Sequence, residues 1–220
     1  MNTEANSEFL LPNVEVARIL APFGARASED QLAAISRYAG LLLRWNKAIS
    51  LTTIDHPAEI IARHFGESIF ATHLIPMNYG RLADVGTGAG FPGMALKIAS
   101  PGLSVTLIES NRKKCAFLAE VQRELGIVGV EIMRNRYEDA PITSQSMDFI
   151  CARAVGNYGS LLRWANNILA PRGRVLIWIG LEDSILISKT LGWAWELPVP
   201  IPDSARRVLL VGRPRAGVAK

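Results

Sequence analysis

The chain has 220 residues, 49% hydrophobic and 20% charged, enough to bury a sizeable core in one large domain or in a small domain with an extension; a disulfide-stapled miniprotein and a disordered tail are excluded. No apolar run reaches the roughly 18 residues that cross a bilayer, MNTEANSEFL at the start is polar and acidic, and Cys115 and Cys151 lack any CxxC or Cys/His spacing, so free thiols and a cytoplasmic location are expected. The net charge of +4 is uneven, with 8 Lys/Arg against 10 Asp/Glu up to Ser110 and 16 against 10 from Asn111 onward, and a basic second half suits a phosphate-rich partner or plain solubility equally.

A short helix is expected over 14–20. Ser28 and Gln31 form a capping box ahead of Leu32, Ile35, Ala39, Leu42, Trp45 and Ile49, whose spacings of three and four predict a long amphipathic helix. Asp55 and Pro57 start another, with Ile60, Ile61, His64, Ile69 and Leu74 on its period until Pro76. Residues 1–76 are therefore a helical cap. From Arg81 the period changes: strands are expected over 82–85, 104–109, 130–133, 147–152 and 174–179, with helices over 92–99, 111–125 and 158–169 between them, the last stopped by Pro171 and Gly173. This alternation predicts an α/β fold, a mostly parallel doubly wound sheet filling 77–220 and forming one unit with the cap. Beyond it come a helix over 183–191, a turn at Pro198, Pro200 and Pro202, and a last strand over 207–211.

The chemistry concentrates where the first strand meets its helix, at Asp84-Val85-Gly86-Thr87-Gly88-Ala89-Gly90-Phe91-Pro92-Gly93. The glycines permit positive φ and let a ligand reach bare backbone, and Pro92 suits a first helical turn. Glu109 ends the next strand, where an acid can accept hydrogen bonds from both hydroxyls of a ribose. Strand, loop, helix, strand and terminal acid together mark a nucleoside-cofactor site. Read from Gly88, the loop satisfies the dinucleotide pattern of nicotinamide oxidoreductases; read from Asp84, it resembles the first motif of Rossmann-like S-adenosylmethionine methyltransferases, whose architecture also has an antiparallel strand near its C-terminus. The three histidines all fall in the cap, leaving no acid/base group beside the loop for hydride chemistry.

From Leu42 onward the chain resembles the small-subunit ribosomal RNA N7-guanosine methyltransferases, the glucose-inhibited division protein B family. The similar segments are Leu43-Arg44-Trp45-Asn46-Lys47-Ala48-Ile49-Ser50-Leu51-Thr52, His64-Phe65-Gly66-Glu67-Ser68, the glycine loop with its distinctive Pro92-Gly93, Glu109-Ser110 with Lys113, Asn135-Arg136-Tyr137-Glu138, and Ala152-Arg153-Ala154. The resemblance implies S-adenosylmethionine as cofactor, held by Asp84, Gly86, Thr87, Gly88, Gly90, Phe91, Glu109, Tyr137, Glu138 and Arg153. Tyr137 and Glu138 would lie beside the adenine, and Arg153 would position groups where cofactor and substrate meet. It implies 16S ribosomal RNA or the small ribosomal subunit as partner, with neither membrane nor DNA expected. The implied reaction is methyl transfer to guanine N7, a lone pair without a proton, so no general base and no metal are expected and orientation carries the catalysis. Three positions depart from the family pattern: Glu67 replaces an Asp, Ala152 a Ser, and Ile179 a Lys, the last removing a cation on the substrate side. A methyltransferase of another RNA site, a protein or a small molecule is the alternative, followed by a nicotinamide oxidoreductase and a cofactor-binding module without turnover.

Several residues have a structural reading beside the functional one. His64 and Ser68 share a helix face, Trp45 and Asn46 could be core and C-cap or an RNA-facing patch, and Tyr137 and Glu138 alone would be read as plain loop. Arg112, Lys113 and Lys114 open a helix, where cations oppose the dipole; with Arg134, Arg136, Arg172, Arg174, Arg206 and Arg207 they form either a solvated face or a set of phosphate contacts.

Overall fold

A computed structural model describes residues 10–215; the polar start of the sequence and its last five residues lie outside them. The expected short helix is α1 (Asn13–Leu20). Helix α2 (Glu29–Asn46) begins on the expected capping box: Ser28 Oγ accepts from the Gln31 amide at 3.3 Å and Gln31 Oε1 from the Ser28 amide at 2.8 Å. It stops before Ile49 because the Asn46 side chain organises the next loop, Oδ1 accepting from the amides of Leu51 and Thr52 while Nδ2 donates to the Thr52 carbonyl. The helix expected after Pro57 comprises α3 (Pro57–Ile60), a π-helical segment (Ile61–Gly66) and α4 (Glu67–Leu74). The wider π turn, which apolar periodicity cannot register, presents Arg63 and His64.

The remaining elements are β1 (Tyr79–Val85), α5 (Gly93–Ala99), β2 (Gly102–Ile108), α6 (Arg112–Leu125), β3 (Val130–Met133), β4 (Met147–Arg153), α7 (Tyr158–Ile168), β5 (Leu169–Gly180), α8 (Leu181–Ile187), β6 (Trp193–Trp195), β7 (Val199–Pro200) and β8 (Arg207–Pro214). The sheet order is β3-β2-β1-β4-β5-β8-β6, with β7 also on β8. Strands β1 to β5 pair in parallel and β8 runs antiparallel to β5, as the α/β reading with one antiparallel C-terminal strand requires.

Three local expectations are corrected. Strand β5 starts at Leu169 and takes in Pro171 and Gly173, expected to separate helix from strand; the register slips there, Met147 pairing with Leu169 but Phe149 with Arg174, and a bulge tolerates a proline that cannot donate to the ladder. Helix α8 covers Leu181–Ile187 rather than 183–191. The segment before β8 contributes two short edge strands, with Pro200 on an edge, where proline is admissible.

Successive residues of the central strands feed opposite layers. Leu82, Cys151, Leu176, Trp178 and Leu209 join the core beneath the cap, with Tyr38, Phe65, Phe91 and Phe117; Ala83, Ile150, Ala152, Ile177 and Leu210 join the other, with Leu161 and Leu162 of α7. The cap and sheet thus share a core layer. Gln31 adds a polar tie, its Nε2 donating to the carbonyls of Ile98 and Ala99 at the end of α5. Among the described residues no helix is long and apolar enough to cross a membrane.

Candidate active site

Strand β1 lies between β2 and β4, so chain order reverses beside it, and the crevice beyond the C-terminal strand ends is where α/β sheets bind ligands. The glycine loop fills that position. The amides of Gly86 and Thr87 both donate to the Ile108 carbonyl, at 2.9 and 3.1 Å, which stitches the loop to the end of β2. Gly86, Gly88 and Gly90 have φ of 66°, 59° and 89°, a region that favours glycine. Their free sides differ. A Cβ on Gly86 would meet nothing within 4 Å, and one on Gly88 only the Gly86 carbonyl at 3.9 Å, whereas one on Gly90 would overlap the Tyr38 hydroxyl and one on Gly93 would lie 2.7 Å from Asp84 Cβ. The first two glycines leave a bare cradle; the other two let the loop pack inward.

Three side chains hold the cradle in shape. Asp84 is fully buried, and its Oδ2 accepts from the Thr87 hydroxyl at 2.5 Å and from the Gly93 amide at 2.7 Å. Burial pushes its carboxyl up to about 7; the bonds from Thr87 and Gly93 and the charge of Arg153 oppose that rise, while Glu109 adds to it. Glu109 follows β2, with Oε2 accepting from the Gly88 amide at 3.0 Å and Oε1 from the Asn111 amide at 2.7 Å. Each carboxylate oxygen keeps acceptor capacity for a ribose hydroxyl. The third is Tyr38 of α2, whose hydroxyl donates to the Ala89 carbonyl at 2.8 Å; burial and the neighbouring Asp84 raise its pKa, so it remains a donor. Tyr38 was not singled out by the sequence, where only a helical period of three and four connects it with the core.

Phe91 is packed rather than displayed. Its ring stacks on Tyr38 and His64 with centroids at 5.5 and 4.8 Å and meets Phe65 edge-on at 4.9 Å, so its side chain joins the loop to the cap. His64 Nε2 is 2.9 Å from Thr52 Oγ1, and burial first, then Arg153, Arg63 and Arg207, lowers its pKa to about 3. Its ring is neutral at physiological pH. Ser68 bonds back to the His64 carbonyl, Trp45 packs edge-on against Phe117, and Asn46 holds its loop, so these residues do structural work.

Tyr137 and Glu138 lie on a short 3-10 turn after β3, Tyr137 edge-on to Trp164 at 5.5 Å and Glu138 exposed. Arg153 ends β4, and its Nη1 donates to the Arg63 carbonyl at 3.0 Å. Asn111 Oδ1 caps α6 by accepting from the amides of Lys113 and Lys114, which with Ala48, Ile49 and Ser50 line a cleft of about 330 Å³. Of the other basic candidates, Arg174 pairs with Glu196 across an exposed surface.

Similarity to known proteins agrees with this geometry. Residues 31–190 match the family model described as rRNA small subunit methyltransferase G. The chain is 34% identical over 208 residues to Ribosomal RNA small subunit methyltransferase G of Roseiflexus castenholzii, covering 90% of this chain and 89% of that relative. With the protein of the same name from Xanthomonas campestris pv. campestris it shares 33% over 213 residues, covering 94% and 98%. The fold is that of a SAM dependent methyltransferase from Aquifex aeolicus, with a TM-score of 0.60, 17% identity and coverage of 72% and 93%. The bare cradle, with Glu109 beside it, suits S-adenosylmethionine, and the match along most of the chain settles the lineage: this chain belongs to the rRNA small subunit methyltransferase G family, enzymes that use that cofactor.

Proposed function

We propose that the protein methylates N7 of a guanine in 16S ribosomal RNA, with S-adenosylmethionine as donor. The observation that carries this reading is the family match over residues 31–190, a stretch that contains both the glycine cradle and Arg153. Membership also removes the nicotinamide alternative. The cofactor supplies an electrophilic methyl group on a sulfonium sulfur. Guanine N7 brings a lone pair and no proton, so no residue needs to act as a base, and the protein's part is to bind, orient and exclude water.

In this reading the backbone of Gly86 and Gly88 lets the cofactor lie against the end of β1, and Glu109 accepts from its ribose hydroxyls. Asp84 and Thr87 act from beneath by keeping the loop in shape, Gly90 and Phe91 fix the loop against the cap, and Tyr137 and Glu138 flank the adenine. Arg153 orients the groups at the mouth. The acceptor, an exposed or assembly-stage RNA loop of the small subunit, meets the cofactor there.

The test supplies labelled S-adenosylmethionine, the purified protein and small ribosomal subunits from cells lacking the enzyme, with the modified nucleoside identified by mass spectrometry. Label is expected in 7-methylguanosine of 16S RNA and is expected to be lost in Gly86→Val and Arg153→Ala. Cofactor binding without transfer to RNA would redirect the assignment to another substrate class.

A further inference from the structure

The residues at the C-terminal strand edge that face the cap meet around one acid. Glu67 opens α4 with its side chain 2% exposed, and its carboxylate has Arg207 Nη2 at 2.7 Å, Arg63 Nε at 3.4 Å and Arg153 Nη2 at 3.7 Å. The convergence follows from sheet alternation: Arg153, Trp178 and Arg207 are in phase with Cys151, Leu176 and Leu209, the residues beneath the cap, and Arg207 pairs with Gly180 at the end of β5. Trp178 Nε1–H donates to the Glu67 carbonyl at 2.6 Å, so the acid is held through its backbone as well as its side chain.

The charges do not balance. Around Glu67 stand three guanidiniums, and the one further acid in ion-pair reach of any of them, among the described residues, is Glu59, half exposed and 3.4 Å from Arg63 Nη1. Within ion-pair distance Arg153 and Arg207 have Glu67 alone, and Asp84 acts on Arg153 from farther off. Nε of Arg63 and of Arg207 is buried and makes no hydrogen bond, so it faces the cluster rather than solvent; the side chains keep 40%, 21% and 29% of their surface for Arg63, Arg153 and Arg207, and each guanidinium carries five N–H groups, so outward donors remain. Three cations crowded at this distance repel one another; one buried carboxylate at their centre orders them without using up their donors. A phosphodiester, a single anion whose oxygens match a guanidinium fork, fits the remaining charge and geometry.

We propose that Glu67 is a positioning residue that holds Arg63, Arg153 and Arg207 as a preformed clamp for a backbone phosphate of the RNA substrate, with Arg207 as the arm supplied from β8. The clamp rests on the RNA reading above. Because the forks are ordered before RNA arrives, less side-chain freedom is lost on binding. The carboxylate of the cofactor's amino-acid end is the other anion of similar chemistry, and the two sources separate in the measurement.

The experiment compares the wild type with Arg207→Gln, Arg207→Lys, Glu67→Gln and Glu67→Asp, following methylation of small subunits from cells lacking the enzyme across a salt series, with S-adenosylmethionine affinity measured by calorimetry. In Arg207→Gln, KM for subunits is expected to rise about tenfold with kcat within about twofold and cofactor affinity unchanged. The slope of log KM against log salt should become shallower by about 0.7–0.9, the loss of one phosphate contact. Arg207→Lys should keep the salt slope and lose part of the affinity, because charge remains without the fork. Glu67→Gln should raise KM in the same way, and Glu67→Asp should restore part of it. Should Glu67→Gln fail to fold by thermal melting, the two Arg207 variants carry the test. An unchanged KM and salt slope in Arg207→Gln would overturn the clamp, as would weakened cofactor binding with normal KM for RNA. Anisotropy with labelled 16S RNA reads the same salt slope without turnover, so wild type that binds RNA but fails to methylate it counts against the enzyme assignment alone, while equal RNA-binding slopes for wild type and Arg207→Gln sink the clamp.

Discussion

The two sides of the active-site crevice use buried acids in opposite ways. On the glycine-loop side, Asp84 and Glu109 accept from backbone amides and a hydroxyl, and the surface they shape is bare main chain. On the cap side, Glu67 faces only guanidiniums, and the surface it shapes is cationic. A conformation held by main-chain amides is local and tolerates little change in side-chain volume. One held by arginines is assembled from distant segments and tolerates volume but not loss of charge.

The largest effect that tests this contrast is steric. Gly90→Ala places a Cβ onto the Tyr38 hydroxyl at a φ of 89°, and overpacking with backbone strain should cost about 3–5 kcal/mol, a fall in Tm of about 10 °C by calorimetry. Gly86→Ala, with nothing within 4 Å of its Cβ, should cost only about 1–2 kcal/mol yet weaken S-adenosylmethionine binding by more than about tenfold, because the added methyl enters the cradle. Equal destabilisation of both variants would erase the distinction between the inward and outward glycines.

The second test is electrostatic. Burial raises the Asp84 carboxyl to about 7 in the folded protein against 3.8 for a free aspartate side chain, so between those values the unfolded chain has released a proton that the native one keeps, and stability falls as pH rises. His64 has the reverse effect: with a folded pKa of about 3 against 6.5, the unfolded chain binds an extra proton between them, and stability rises with pH. Over about pH 4–6.5 the two slopes, each at most about 1.4 kcal/mol per pH unit, oppose one another. His64→Asn should therefore expose a decline in urea-unfolding free energy across this window relative to wild type, and Asp84→Asn a rise. If both variants run parallel to the wild type, neither group is perturbed as its surroundings require.

Smaller effects follow. Tyr38→Phe leaves the Ala89 carbonyl without its buried donor and should cost about 1–3 kcal/mol in stability, with weaker cofactor binding by calorimetry. Arg174→Ala breaks an ion pair whose members are 38% and 58% exposed, and should change stability by less than about 0.5 kcal/mol in the same unfolding assay. A large loss there would mean that charge is as consequential on the open surface as around Glu67.

How much could be read in advance follows the same division. The glycine loop and Glu109 were legible because one βαβ unit places all of them within a short stretch, and the spacing itself is the signal. Arg153 entered through family resemblance, since a strand-end arginine has many plain uses. Its convergence with Arg63 and Arg207 on Glu67 had no local signal: the participants come from a π segment, a middle strand and an antiparallel strand, and register alone brings them together. Tyr38 was hidden for the same reason, 51 residues from the carbonyl it serves. The misplaced start of β5 came from treating Pro171 and Gly173 as terminators where a bulge absorbs them.

The Tyr38–Ala89 bond also bears on synthesis order. During translation α2 leaves the ribosome well before the loop that receives its hydroxyl, and the rings of Tyr38, His64 and Phe65 have to wait for Phe91 before their shared packing can form. A chain that ends ahead of residue 91 lacks the ring that Tyr38 and His64 stack on and Phe65 meets edge-on, leaving apolar surface of the kind that makes incomplete folds prone to aggregate.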